Sequence, residues 1–92
     1  MIVRILGEGQ LRVDDSAADE LNVLDAALGK AVNAGDEGAF RPALAALLDR
    51  VRSLGTPLPP DAIEPSDLIL PYADAGLDDV RAMLTDGGLI PG

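Results

Sequence analysis

Gly55 to Pro71, GTPLPPDAIEPSDLILP, constrains the fold more than any other part of this chain. It holds five of the seven prolines, together with Leu58, Ile63, Leu68, Ile69 and Leu70. Proline lacks an N–H and fixes φ, so the stretch is neither helix interior nor central strand. The aliphatic residues exclude a fully solvated linker. Pro57, Pro59 and Pro60 hold the chain extended and stiff, at low entropic cost on folding. Pro65 and Pro71 then bracket Ser66 to Leu70, which sets where strand pairing begins and ends. The stretch therefore reads as a rigid strap whose aliphatic residues lie over a helical layer and whose end, Leu68–Leu70, forms a strand.

That strand needs partners, and the N-terminus supplies them. MIVRIL and QLRV are two short runs rich in β-formers, with Arg4 set among the apolar residues of the first. Gly7, Glu8 and Gly9 between them signal a hairpin turn. Two helices follow. Leu21, Leu24, Leu28 and Ala31 recur at three- and four-residue steps, after the candidate caps Asp14, Asp15 and Ser16. Gly35 ends this helix. Phe40, Leu44, Leu47, Val51 and Leu54 form a second stripe from near Asp36, and Gly55 stops it. Pro42 disrupts its beginning and moves the expected regular start toward Arg41. A third, short helix spans Leu77, Val80, Met83 and Leu84 and ends at Gly87, before the apolar tail LIPG.

The fold class expected is α+β: an N-terminal β-hairpin and a third short strand, packed on an αα-hairpin, with a short third helix near the C-terminus. At 92 residues the chain reads as a single domain, 1–92. The expected core is Ile2, Ile5, Leu21, Leu24, Leu28, Leu44, Leu47, Val51 and Leu84. It is aliphatic, because Phe40 and Tyr72 are the only aromatic residues.

Composition narrows function by removing tools. The chain has no His and no Cys, so the commonest general base and the strongest nucleophile are missing. GEG lacks the spacing of a phosphate loop, and Glu8 would repel a phosphate. The acidic pairs Asp14–Asp15, Asp19–Glu20, Asp36–Glu37 and Asp78–Asp79 each stand where a helix begins, where capping and the helix dipole account for them. No metal site, cofactor or catalytic group is expected, and the protein is expected not to be an enzyme. A net charge of −9 opposes contact with nucleic acid or with an anionic bilayer. No run reaches the ~20 apolar residues of a membrane span. Nothing at Met1 resembles a signal peptide, so a cytoplasmic location is expected.

MIVRILGEGQ at the start, LGTPLPPD and PSDLILPYAD in the middle, and DVRAML with GLIPG at the end together resemble the PspA-associated domain family, PspAA, over the whole chain. Two positions depart from that pattern: Gly76, where a stronger cap such as Thr is usual, and Pro42. The resemblance implies a non-enzymatic accessory protein of the envelope, phage-shock-type stress response. Its implied partner is PspA, a coiled-coil membrane-remodelling protein related to ESCRT-III, which would bring the domain to the inner face of the membrane. No partner-binding motif comes with the resemblance. The apolar residues of the strap and tail, Leu58, Ile63, Leu89 and Ile90, are the candidate partner contacts. A homodimer stays open, since so small a chain can leave apolar surface uncovered. The alternative reading is a small acidic regulatory domain that sequesters a transcription factor or a signalling protein.

Overall fold

The computed structural model describes residues 1–62 and 64–84. The strands are β1 (Ile2–Ile5), β2 (Gly9–Arg12), β3 (Thr56–Pro57) and β4 (Leu68–Leu70); the helices are α1 (Ala18–Ala34), α2 (Glu37–Leu54) and α3 (Leu77–Leu84). They form an α+β fold with one mixed sheet in the order β3-β2-β1-β4. β1 and β2 pair antiparallel, with Val3 opposite Leu11 and Arg4 opposite Gln10. The turn uses Gly7 and Gly9 at positive φ, 84° and 112°. β4 joins the other side of β1 in parallel, Leu68 beside Val3 and Leu70 beside Ile5.

Strand alternation gives the sheet two faces. Val3, Ile5, Leu11, Val13, Leu68 and Leu70 turn inward and pack on Leu21, Leu28, Ala31 and Val32 of α1 and on Phe40, Leu44, Leu47, Leu48 and Val51 of α2. Val80 joins them from α3. Leu24, expected in the core, is only partly buried at its margin. Ile2 is buried but sits outside this cluster, because its position in β1 puts it on the opposite face. The Leu84 side chain and Gly87 lie outside the described residues.

The caps explain the helix boundaries. Asp14 accepts from the Ser16 amide at 2.9 Å and starts a short 3-10 turn, Asp15–Ala17, that leads into α1. Gly35 closes α1 in the left-handed region, φ 68°, as the sequence predicts. Asp36 then caps α2 through the Ala39 amide at 3.1 Å. The helix therefore starts at Glu37 and not near Arg41. The residue opposed to Pro42 in the helical ladder is Gly38, and both are exposed. Water can satisfy the carbonyl that proline leaves without a donor. At α3 the Asp79 carboxylate reaches back to the Gly76 amide at 2.9 Å, half of a capping box that offsets the weak cap.

The strap departs from expectation in two ways. Its first residues form β3, a strand the sequence does not announce. Thr56 and Pro57 pair with Arg12 and Leu11, and the Leu58 amide continues to the Gln10 carbonyl at 3.0 Å. Gly55 lets α2 come this close to the sheet: a Cβ there would lie 2.9 Å from that of Leu11. The next part of the strap then crosses the outer face of the sheet and not the helical layer. Gln10 and Arg12, which alternate with the inward Leu11, hold it there. Gln10 Nε2 donates to the Glu64 carbonyl at 2.7 Å and to Ser66 Oγ at 2.9 Å. Arg12 pairs with Glu64 at 3.0 Å. The physical reason is topological: β3 and β4 occupy opposite edges, the helices fill one face, and the connection takes the other. Among the described strap residues, Leu68 and Leu70 join the core shared with the helices.

A candidate partner-docking groove

The crossing leaves a groove of about 450 Å³ between the strap and the turn end of the hairpin. Arg4 and Gln10, cross-strand neighbours, line its sheet side. Pro57, Leu58, Pro59 and Pro60 form the strap side. Because the Leu58 amide points at β2, the ring nitrogens of Pro57 and Pro59 point away from it. The missing donors thus fall on the outer edge, where they also discourage another strand from adding.

Glu8 and Arg52 stand at one end of the groove. Arg52 Nη2 meets Glu8 Oε2 at 2.5 Å, and its Nη1 reaches Asp49 at 2.8 Å. The hydrogen bond from Arg52 holds the Glu8 carboxyl below its ordinary 4.5, and the Arg52 guanidinium is pushed up in return. This pair ties the hairpin turn to the end of α2. Arg50 makes a similar tie to Glu20 on α1. Arg50 and Arg52 are therefore both occupied by carboxylates within the fold. Arg4 is different. It is exposed and makes no hydrogen bond or ion pair to any described side chain.

Of the candidate contacts, Leu58 is half-buried in the wall of this groove. Ile63, Leu89 and Ile90 lie outside the described residues. The sequence places Arg4, Gln10 and the prolines in strands or strap but does not mark them as partner contacts. Arg4 carries a local signal, a charge within IVRI at an outward position, but what stands over it is set by the path of the strap. Among the described residues no three His, Cys, Asp or Glu side chains gather as metal ligands. No described helix is long and apolar enough to cross a membrane.

Residues 1–92 match the family model of the PspA-associated protein, PspAA. The chain belongs to the PspAA family. Comparison with curated proteins and with solved structures returns no match. In this PspAA domain the phrases LGTPLPPD and PSDLILPYAD run from Leu54, the last residue of α2, to Asp74, and contain β3 and β4. The strap of the domain both completes the sheet and walls the groove.

Proposed function

We propose that this protein is a non-enzymatic accessory factor of a PspA-type coiled-coil protein, which it binds to modulate that protein's assembly or membrane engagement in envelope stress. The match to the PspA-associated family over 1–92 carries the reading. The chemistry of the chain agrees with action by binding: no His or Cys is available for general-base or thiol catalysis. The protein works in the cytoplasm and reaches the inner face of the membrane through its partner. Its −9 charge steers encounter with basic segments that the partner would otherwise offer to anionic lipid. The groove by Leu58 is the docking surface.

Co-purification with the PspA homologue, followed by size measurement of the complex, tests this. A stable complex whose association rate falls as salt rises tenfold is the expected result. Absence of a complex sinks the reading, and an association rate indifferent to salt sinks its electrostatic part.

A further inference from the structure

The groove carries an uncompensated positive charge in a protein of net charge −9. Three charged side chains line it: Arg4, Glu8 and Arg52. Glu8 and Arg52 neutralise each other at 2.5 Å, and Asp49 further engages Arg52. The neighbouring Arg12 is held by Glu64. That leaves the Arg4 guanidinium, with no described side chain as partner, next to a wall of Leu58 and prolines.

We infer that this groove receives an acidic side chain of the partner, Glu or Asp flanked by an aliphatic residue on a helix surface, with Arg4 as its ion-pair partner and hydrogen-bond donor. The inference rests on the proposed function and names the chemistry of its docking surface. A guanidinium offers a planar, two-pronged match to a carboxylate, which a lysine does not. The apolar wall serves twice. It packs the aliphatic neighbour and keeps water from the pair, which strengthens the pair. The size also fits: about 450 Å³ admits side chains, whereas a whole helix is ~10–12 Å across and would lie over the rim. The acidic surface elsewhere repels carboxylates, so an acidic contact is tolerated here and rejected around it. That gives the docking a register as well as affinity.

The test measures affinity of the purified protein for its PspA homologue with wild type, Arg4→Lys, Arg4→Ala and Arg4→Glu. Arg4 is exposed and makes no side-chain bond to a described residue, so these variants should melt with wild type; circular dichroism checks that they do. Arg4→Glu is expected to weaken binding at least tenfold and Arg4→Ala somewhat less, with Arg4→Lys between alanine and wild type. Reversal of single partner carboxylates to arginine should rescue Arg4→Glu at one position. If wild type binds and Arg4→Glu binds equally well, the groove inference fails while the proposed function stands. If wild type does not bind, the proposed function fails and the inference falls with it. If Arg4→Glu instead alters self-association of the protein alone, the occupant is a second copy and the inference is overturned.

Discussion

At the scale of residues, the fold is tied together by carboxylates that work best when ionised. Arg52 hydrogen-bonds to Glu8, Arg50 to Glu20, and the Ser16 amide to Asp14, and each lowers the pKa of the acid it meets. A lowered folded-state pKa means stability that is complete above the unfolded value and lost as pH falls through the folded one. Stability should therefore be flat from neutral pH to about pH 5 and decline in the acid range below 4.5. Glu8→Gln should flatten part of that decline, by less than about 1 kcal/mol, because the Glu8–Arg52 pair is solvated. Denaturant melts of the two proteins over an acid series check this. An unchanged acid limb would show that the turn is held by its glycines and backbone bonds instead.

Among the elements, α2 tolerates an internal proline because its cap is strong and the broken position faces water. Pro42→Ala should restore the bond to the Gly38 carbonyl. It is expected to stabilise by about 1–2 kcal/mol, less than the ~3 kcal/mol of an interior proline, since alanine gives the unfolded chain more freedom. Thermal melts and amide exchange in the first turns of α2 report it. The same element shows what can be read from sequence. The stripe from Phe40 to Val51, the Asp36 cap and the glycine stops are local signals, and they place the αα-hairpin correctly. β1, β2 and β4 follow from alternation and bracketing prolines. β3 does not. Thr56–Pro57 has no strand signal of its own and exists because Gly55 delivers the chain against Leu11. The groove was legible only in fragments, Leu58 and a charge at Arg4. Its shape depends on which face the strap crosses, and that follows from the sheet order and not from any residue pattern.

For the molecule as a whole, one aliphatic core must do nearly all the stabilising. A chain of 92 residues has about 5–14 kcal/mol of stability to lose. Leu47 is fully buried in the core. Leu47→Ala should cost about 2–5 kcal/mol and lower the melting temperature by roughly 10 °C or more. Val23→Ala, on a side chain 70% exposed, should be nearly silent in the same calorimetry. Equal losses at both positions would mean that the exposed flank of α1 is covered in solution.

The placement of β1 has a consequence for synthesis. This strand lies between β2 and β4, and the Ile2 amide donates to an aspartate 65 residues further on. β2 follows at once, but β4 leaves the ribosome only after both helices and the strap. At about 5–20 residues per second the interval is roughly 3–13 s. Until β3 emerges the nascent hairpin presents both its strand edges unpaired, and the β1 edge waits longest, with Val3 and Ile5 uncovered until the helices arrive. A folding helper, or the protein's own partner, would find its opening there before the sheet closes.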